Sequence, residues 1–371
     1  MIYHVLHELE EFCTRSGGAV AKNVANILLR DPVRSVVCSK ADDSWGIDPS
    51  RIIEIPELLP YKTIKGRRLI PACIKGPFFR SVFQPLLSRL KPGDIVWCHH
   101  QPYFAAALDR VIRSRGAKLF YHVHDPYVPR TAKSAFLSFK PERWIFISEA
   151  LRKNYLAMFP DWTNTFVVFN GADEGLFYPA PEDERQENSV PVVLYVGRLQ
   201  AEKGVHVLMD AMRILHERGV KALCRVIGSH FSGDSKPTPY VRSLYKKVPP
   251  NVEFADYCPA NEIGKEYRSA DIVCCPSIWL GAFGNVNIEA MATGIPVVAS
   301  CVGGIPEIAS EGGILLVEPN APLELADKLQ MLIEDRQLRI SIGAEGLRSF
   351  RRRFTWTAIV QQYKNIVEKV A

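Results

Sequence analysis

Short, continuously apolar runs alternate with amphipathic stretches through nearly the whole chain. Such runs are typical of strands buried on both faces of a sheet, and the stretches between them are typical of the helices that cover it. The predicted strands are Ile2–Leu6, Ser35–Cys38, Ile95–His99, Lys118–His122, Trp144–Ile147, Thr165–Phe169, Val192–Val196, Ala222–Ile227, Val252–Ala255, Ile272–Pro276, Pro296–Ala299 and Ile314–Val317. Strands joined through helices lie parallel, so the sequence predicts an α/β fold.

The length of the chain divides this pattern into two domains. A chain of 371 residues is longer than one hydrophobic core normally organises. The segment Pro181–Ser189 is polar and acidic, has no periodicity and lies between the two sets of strands, as expected of a linker. We therefore predict a first domain over 1–180, a second domain over 190–354, and an amphipathic C-terminal helix that begins at Thr355 and ends at Val370.

The charge balance favours small anionic ligands over nucleic acid. The chain has 46 Lys and Arg against 40 Asp and Glu, a formal net charge of +6. This mild excess is compatible with anionic small molecules or a membrane surface. It is far from the charge of typical nucleic-acid-binding proteins, so no nucleic-acid partner is expected.

Cysteine usage and the amino terminus indicate a reducing compartment. Nine cysteines occur and none forms a CxxC pair, which argues against a zinc site or a dithiol redox motif and favours buried thiols. The chain begins with a strand-like run that has no basic lead, and no run approaches the roughly 18 apolar residues of a membrane span. We expect a cytoplasmic protein, at most attached to a membrane from one side.

A stretch in the second half has the features of a phosphate site. Pro276–Ser300 reads as a strand end, a glycine-bearing turn, a short helix and a second buried strand. The helix start after Gly284 offers backbone N–H groups and a partial positive charge to a phosphate. Glu289 follows where a carboxylate can accept hydrogen bonds from sugar hydroxyls, and Arg198 and Lys203 supply two cations after an earlier strand. These segments together predict a site for a nucleotide diphosphate sugar.

The order of these segments resembles that of the retaining glycosyltransferases of family four. The motifs that carry the resemblance are Gly17-Gly18, His124-Asp125, Asn170-Gly-Ala-Asp173, Gly197-Arg198 through Lys203-Gly204, Ala270-Asp271, Pro276-Ser277 through Gly294, and Gly303-Gly304-Ile-Pro-Glu307. The resemblance covers nearly the whole chain. It implies the GT-B fold, in which two Rossmann-like domains face each other across a cleft and the C-terminal helix, here 355–371, crosses back to the first domain.

The resemblance also implies roles for particular residues. Arg198, Lys203 and His124 match catalytic positions: the cations hold the donor diphosphate, and the histidine hydrogen-bonds hydroxyls near the reacting sugar. The matched donor-binding residues are Gly17, Gly18, Gly197, Gly281, Ala282, Phe283, Gly284, Asn285, Val286 and Glu289. No divalent-metal motif is evident in the sequence, so fixed cations are expected to neutralise the diphosphate. We accordingly expect no metal and no cofactor, with the nucleotide diphosphate sugar as co-substrate.

The chain departs from the family pattern at one glutamate. The first glutamate of the paired-glutamate motif, which contacts the transferred sugar in the family, is replaced by Gly281, and Ala282 replaces the following proline. Asn285 or Asn287 would be partial substitutes. The departure keeps a non-catalytic nucleotide-sugar-binding protein open beside the transferase. A nucleotide-sugar epimerase or a phosphorylase on the same scaffold is a further alternative, although the sequence offers no extra acid/base carboxylates for an epimerase.

Several residues of the first half are candidates for acceptor binding. His99 and His100 end a strand at the sheet edge where open α/β folds bind ligands, and Asp125 follows His124 at the same edge. Acceptor contact and a simple loop role are both open for His99 and His100. His122 lies one strand alternation from His124 and is interpreted as structural.

A basic segment in the first half bears on the kind of acceptor. Tyr61–Arg80 carries six Lys and Arg and no acidic residue, with apolar residues between them. It predicts either reversible attachment to an anionic membrane surface, or a solvated loop that binds a phosphate-bearing acceptor or nothing. Together with the resemblance, it leads us to expect a glycan or lipid-linked acceptor in cell-surface polysaccharide synthesis, such as lipopolysaccharide. We favour a UDP-sugar donor over a GDP-sugar.

Overall fold

Two parallel β-sheets organise the chain, each within its own unit. The computed structural model describes residues 1–6, 10–14, 18–38, 40–42, 44–56, 63–64, 67–68, 72–126, 130–181, 188–228, 237–255, 258–259, 261–280 and 283–368. The first unit comprises Met1–Phe169 and Val360–Ala371, and the second comprises Asn170–Ile359.

The strands follow the alternation of apolar runs along the chain. They are β1 Ile2–Val5, β2 Arg34–Cys38, β3 Ile52–Glu54, β4 Thr63–Ile64, β5 Arg67–Arg68, β6 Ile95–His99, β7 Lys118–Val123, β8 Arg143–Phe146, β9 Thr165–Val167, β10 Val192–Val196, β11 Leu223–Ile227, β12 Val252–Ala255, β13 Ile272–Cys275, β14 Val297–Ser300 and β15 Ile314–Val317.

Helices fill most of the connections between these strands. They are α1 Ala19–Arg30, α2 Ala72–Val82, α3 Gln84–Leu87, α4 Pro102–Ser114, α5 Arg130–Phe136, α6 Glu149–Met158, α7 Val205–Glu217, α8 Pro239–Tyr245, α9 Ile263–Ser269, α10 Asn285–Thr293, α11 Ile305–Ala309, α12 Pro322–Glu334, α13 Arg336–Arg353 and α14 Trp356–Glu368. Single 3₁₀ turns occur at Pro49–Arg51 and Ala201–Lys203. Within the described ranges, no helix combines the length and the apolar character that crossing a bilayer requires.

The first sheet reverses its strand order between β1 and β6. In the part of the chain that the structure describes, its order is β3-β2-β1-β6-β7-β8-β9. Its neighbouring strands are parallel, with Ile2 opposite both Arg34 and Ile95. The central strands β1, β2 and β6 are buried along their whole length. The C-terminal helix α14 contributes Tyr363 to this unit, where its ring lies 5.1 Å from that of Trp97.

The second sheet reverses its order between β10 and β13. Among the described residues its order is β12-β11-β10-β13-β14-β15, again with parallel neighbours. Helix α7 packs its fully buried Val205, Leu208 and Met212 against the buried strand residues Val193 and Ile272. The i, i+3, i+7 spacing of these residues is typical of a helix with one buried face.

The predicted α/β fold class is confirmed, and the differences lie at edges and ends. The strands β6, β10, β12 and β15 begin and end where the sequence predicted. The sequence reading missed β3, because this edge strand has only three residues, of which only Ile53 is buried. It also missed the two-residue antiparallel pair β4–β5. A contiguous apolar run marks a central strand, and neither of these elements has one.

The first unit ends earlier than the sequence-based boundary. Residues 170–180, which the prediction placed in the first domain, lie in the second unit. Two contacts of the backbone explain why this segment belongs to the second unit. Ala172 N donates to Phe354 O at 3.1 Å, and a Cβ on Gly171 would lie 2.8 Å from the ring of Trp356. The segment is therefore packed on the end of α13 and the start of α14. Most of the predicted linker, residues 182–187, lies outside the described residues.

Gly204, in the turn after β10, lies against the backbone that follows β13. Its φ is +72°, and a Cβ at this position would lie 1.8 Å from the carbonyl oxygen of Pro276. Gly219, which ends α7, has nearly the same φ of +74°, but a Cβ there would meet nothing within 4 Å. The two glycines therefore share a conformational requirement and differ in steric confinement.

We expect Gly204→Ala to destabilise the protein more than Gly219→Ala does. The control Gly219→Ala carries only the cost of a left-handed alanine, about 1–2 kcal/mol. The clash with Pro276 adds about 1–3 kcal/mol in Gly204→Ala. Denaturant unfolding of both variants measures the difference. Equal losses of unfolding free energy would show that the turn relaxes without cost.

Candidate functional site

The reversal of strand order in the second sheet defines a candidate ligand site. β10 and β13 are adjacent and parallel, with Val193 opposite Ile272. The strand that follows β10 lies on one side of this pair, and the strand that follows β13 lies on the other side. Ligands of open parallel sheets bind at the carboxyl ends of the strands at such a reversal. The two loops that begin there are 197–204 after β10 and 276–284 after β13.

Backbone contacts hold these two loops together. Ile278 N donates to Glu202 O at 3.0 Å, and Ser277 Oγ donates to the same oxygen at 3.2 Å. Gly204 closes the contact by its approach to the carbonyl of Pro276. The loop after β10 is therefore anchored on the loop after β13, although about 75 residues separate them in sequence.

The backbone at Arg198 is fixed from below. Gly197 has a φ of +155°, and its N–H donates to Ile227 O at 3.0 Å. Tyr195 Oη donates to Arg198 O at 3.0 Å. Burial raises the pKa of Tyr195 well above its usual value, so the phenol remains a hydrogen-bond donor. The side chain of Arg198 itself is exposed above this fixed backbone.

Lys203, the second predicted cation, lies over the end of β13. Its Nζ is 5.3 Å from the centre of the Trp279 ring, within the range of a cation–π contact. Burial raises the pKa of the Cys275 thiol, and the charge of Lys203 acts against that rise. Lys203 is thus half-buried at the reversal point, beside the strand that leads to α10.

Helix α10 starts at this edge with a glycine turn. Gly284 has a φ of +78° and precedes Asn285, the first helical residue. Among the described residues around it, no side chain caps this helix and no acidic residue lies in its first turn. Phe283 is buried beside the turn, and Val286 is half-buried in the first turn. Uncapped N–H groups and the helix dipole favour an anion here.

The two asparagines considered as substitutes for the missing glutamate are held inside the second unit. Asn285 Oδ1 accepts a hydrogen bond from Asn170 Nδ2 at 2.9 Å. Asn287 is fully buried, and its Nδ2 lies 2.4 Å from where a Cβ on Gly284 would be. Asn287 therefore packs beneath the turn. Gly281 and Ala282 lie outside the described residues.

Glu289 is held by a tyrosine that the sequence reading missed. Tyr267 on α9 donates from Oη to Glu289 Oε2 at 2.6 Å. Burial, and then the charge of Glu289, raises the pKa of Tyr267 well above its usual value, so it stays a donor. The contact fixes the carboxylate in one orientation. A tyrosine inside an ordinary helix gives no sequence signal of this kind, because its partner lies 22 residues away.

Four histidines lie together in the first unit, at the ends of adjacent strands. His4 Nδ1 is 2.9 Å from His99 Nε2, and His99 Nδ1 is 2.9 Å from His124 Nε2. The ring of His122 is tilted against that of His124, with 4.1 Å between ring centres. The sequence predicted His124 and His99 at one sheet edge, and the structure brings their rings into direct contact.

The structure encloses His99, one of the residues predicted to bind the acceptor. The residue is 2% exposed, and both of its ring nitrogens face other histidines. His100 is half-buried with a φ of +47°, and its Nδ1 accepts from His124 N at 3.2 Å. Asp125 is half-buried, and its carbonyl accepts from Tyr155 Oη at 2.9 Å. His122 is fully buried, in agreement with its structural interpretation.

The histidine cluster is also the candidate for a metal ion in the described part of the chain. His99, His122 and His124 offer ring nitrogens that all lie within 4.8 Å of one another. The sequence reading, which expected no metal, missed this grouping because the three residues come from two strands. Ligation by His99 would require it to give up a hydrogen bond to His4 or to His124.

The glycine pair predicted to approach the diphosphate is described only in part. Gly17 lies outside the described residues. Gly18 precedes α1, and a Cβ there would lie 2.6 Å from Glu10 Oε1. The same carboxylate oxygen accepts from Ala21 N at 2.8 Å. Glu10 therefore occupies the N-terminus of α1, and a side chain at Gly18 would have to displace its carboxylate.

The comparisons with known proteins agree with this architecture. The family described as "Glycosyl transferases group 1" matches residues 180–348. A curated relative, D-inositol 3-phosphate glycosyltransferase of Corynebacterium efficiens, is 38% identical over 213 residues, which are 54% of this chain and 50% of the relative. The chain thus spans about half the length of the curated relatives it matches first.

Solved structures of similar fold cover the whole chain. Sucrose-phosphate synthase from Thermosynechococcus elongatus superposes with a TM-score of 0.76 at 19% identity, over 100% of this chain and 98% of its own. HepE of Anabaena, solved in complex with UDP, has a TM-score of 0.76 at 22% identity, over 99% of both chains. These structures confirm the GT-B fold class predicted from the motifs.

The histidine cluster predicts a loss of stability in mild acid. Burial, and then the charge of Arg34, lowers the pKa of His99 from 6.5 to about 3. Below about pH 6.5, His99 therefore binds a proton in the unfolded chain but stays neutral in the folded protein. The contribution of neutral His99 to the free energy of unfolding is intact above pH 6.5. It is lost as the pH falls towards 3, at about 1.4 kcal/mol per pH unit.

Thermal unfolding between pH 7 and pH 5 measures this effect. We expect the melting temperature to fall with pH, and to fall less steeply in His99→Phe than in the unmodified protein. The control His216→Phe, at an exposed histidine of α7, should keep the original slope. The same slope in all three proteins would contradict the assignment of His99 as a neutral buried group.

Proposed function

We propose that the chain transfers a sugar from a nucleotide diphosphate sugar to a hydroxyl group, and the match of residues 180–348 to glycosyl transferases group 1 supports this proposal. The observation that carries the proposal is the edge of the second sheet where β10 and β13 diverge. There, two cations follow β10, and an uncapped helix N-terminus with an oriented glutamate follows β13. This set matches the charge and the hydroxyl groups of such a donor.

Each element of this edge has a proposed task. Arg198 and Lys203 bind the diphosphate and stabilise the negative charge that grows on it as the glycosidic bond breaks. The N–H groups of α10 support the same charge. Glu289, oriented by Tyr267, accepts hydrogen bonds from the donor ribose. Each charge-assisted contact contributes about 1.5–3 kcal/mol.

We propose a retaining reaction that needs no divalent metal. In front-face displacement, the acceptor oxygen attacks the anomeric carbon on the side from which the diphosphate leaves. The leaving phosphate oxygen takes the proton of the acceptor hydroxyl, so the reaction requires no protein nucleophile. Two fixed cations next to the diphosphate support metal independence, because they supply the compensating charge themselves.

The acceptor is proposed to bind the first unit, near Gly18 and His124. We propose a glycan or lipid-linked acceptor in cell-surface polysaccharide synthesis, and a UDP-sugar as donor. The UDP bound to HepE of Anabaena supports the donor class by analogy. The basic segment Tyr61–Arg80, proposed to meet an anionic membrane surface, lies mostly outside the described side chains.

A nucleotide-sugar-binding protein without transferase activity is the second candidate. The specific observation in its favour is Gly281, which removes the carboxylate that contacts the transferred sugar in the family. Release of free nucleoside diphosphate from a donor sugar by the unmodified chain separates the two functions. Donor binding without any turnover, together with turnover in Gly281→Glu, would favour the second candidate.

Donor choice is tested by thermal shift with UDP, GDP and ADP and their hexose derivatives. We expect UDP compounds to raise the melting temperature most, because a ligand at 100 times its Kd stabilises the folded state by about 2.7 kcal/mol. The shift should persist in EDTA, since the proposed site uses fixed cations. A shift that requires Mg²⁺ or Mn²⁺ would contradict metal independence.

We expect Arg198→Ala to lower turnover about 10²–10³-fold, as for the loss of one preorganised donor to a developing oxyanion. Its melting temperature should stay near that of the unmodified protein, since the side chain is exposed. Arg213→Ala removes another exposed arginine, on α7, and should leave turnover unchanged. Nucleoside diphosphate release measures all three proteins. Near-normal turnover in Arg198→Ala would refute the proposed phosphate contact.

A further inference from the structure

A buried ion pair lies at one end of the histidine chain in the first unit. Arg34 Nε is 2.8 Å from Asp31 Oδ2, and their side chains are 1% and 4% exposed. Burial alone would raise the pKa of Asp31, but the hydrogen bond and charge of Arg34 hold it below its usual range. Arg34 Nη1 then reaches His4 Nε2 at 3.0 Å. A guanidinium has only donors, so it fixes His4 Nε2 as the acceptor.

The direction of every later hydrogen bond follows from this first one. A neutral imidazole has one donor and one acceptor nitrogen. Because His4 Nε2 accepts, His4 Nδ1 carries the hydrogen and donates to His99 Nε2. His99 Nδ1 must then donate to His124 Nε2. The same rule leaves the remaining hydrogen of His124 on Nδ1.

Burial keeps the hydrogen-bonded histidines His4, His99 and His124 neutral, so that each ring has one donor and one acceptor nitrogen. It is the largest cause that lowers the pKa of His4, His99 and His124, and the neighbouring charges of Arg34 and the other rings lower it further. A second proton on any ring would place two donors against each other. Two other imidazoles lie next to His124: His100 Nδ1 accepts from the His124 backbone N–H, and the ring centre of His122 is 4.1 Å from that of His124.

We propose that Arg34, through His4 and His99, fixes His124 in the tautomer that carries its hydrogen on Nδ1, so that His124 presents a permanent N–H donor. Arg34, His4 and His99 are then positioning residues. The tautomer of a histidine is set by the hydrogen bond at its other nitrogen, and linked hydrogen bonds in a buried network polarise one another. An imidazole in water exchanges between its two tautomers, whereas the row of hydrogen bonds from Arg34 to His124 allows only one of them.

The role of this donor rests on the proposed function. A fixed N–H at His124 recognises an oxygen acceptor, such as a sugar hydroxyl oxygen, and does not accept a proton from one. His124 therefore orients a sugar and is not the general base of the reaction. The same bonding argues against a metal on His99 and His124, because a cation would have to replace the hydrogen between them and leave His99 with no proton on either nitrogen.

The tautomer is measured directly by nitrogen NMR on the full chain labelled with ¹⁵N-histidine. We expect the His124 Nδ1 signal to have the shift of a protonated ring nitrogen and the Nε2 signal that of a bare one. The pattern should hold from pH 8 to pH 6. A protonated Nε2 on His124 in the unmodified protein would overturn the proposal. This measurement needs no substrate, so it is independent of whether the transferase function is correct.

Two variants test whether the hydrogen bonds from Arg34 through His4 and His99 set the tautomer of His124. His4→Phe keeps a ring of similar size but removes the donor to His99, so the His124 tautomer should shift towards hydrogen on Nε2. His216→Phe, at the exposed histidine of α7, should leave the His124 signals unchanged. Unchanged His124 signals in a folded His4→Phe would overturn the relay. If His4→Phe does not fold, the spectrum of the unmodified protein still decides the tautomer.

Zinc and turnover give two further readouts. One equivalent of Zn²⁺ should leave the His99 and His122 signals in place, and stoichiometric binding that shifts them would overturn the proposal. Once a donor is known, His4→Phe should lower kcat about tenfold with little change in the KM for the donor. A purely structural role would lower stability without changing the tautomer or separating kcat from KM.

Discussion

The parallel pairing of β10 with β13 is the constraint on which the candidate donor site depends. Parallel strands end at the same edge of a sheet, so neighbours in the sheet bring their following loops together even when they are far apart in sequence. Here that pairing allows Glu202 O to accept from Ile278 N and allows Gly204 to approach the carbonyl of Pro276. The cations of one loop and the helix N-terminus of the other thereby become parts of one surface.

The first sheet uses the same constraint with a different chemistry. β1, β6 and β7 are neighbours, and the register places His99 opposite His122. Their ends contribute imidazoles instead of cations, and burial holds these rings neutral. A neutral imidazole is both donor and acceptor, so a row of them has a direction that its first partner decides. A buried arginine is that partner, because it cannot accept a hydrogen bond.

The sequence singled out residues at the edge where β10 and β13 diverge, but it did not reveal the contacts that orient them. The candidates at this edge lie in short motifs with local meaning, namely a strand end, a glycine turn and a helix start; they are Arg198, Lys203, Gly284 and Glu289. Tyr267, which fixes Glu289, lies on a different helix. The ring contacts of His99 were missed for the same reason: His4 and His124 come from other strands, and a histidine at a strand end looks alike whether it faces solvent or another ring.

The sequence by itself determined the α/β class, the central strands and the family motifs, because apolar runs, helical periodicity and glycine turns are properties of neighbouring residues. Only the tertiary structure decided where the chain crosses between units, which asparagines are held inside, and which nitrogen of each imidazole bears the hydrogen. These depend on contacts between distant residues, such as Ala172 with Phe354 and Arg34 with His4, and on how completely water is excluded around them. Burial and hydrogen-bond direction are properties of the packed chain, and no local pattern encodes them.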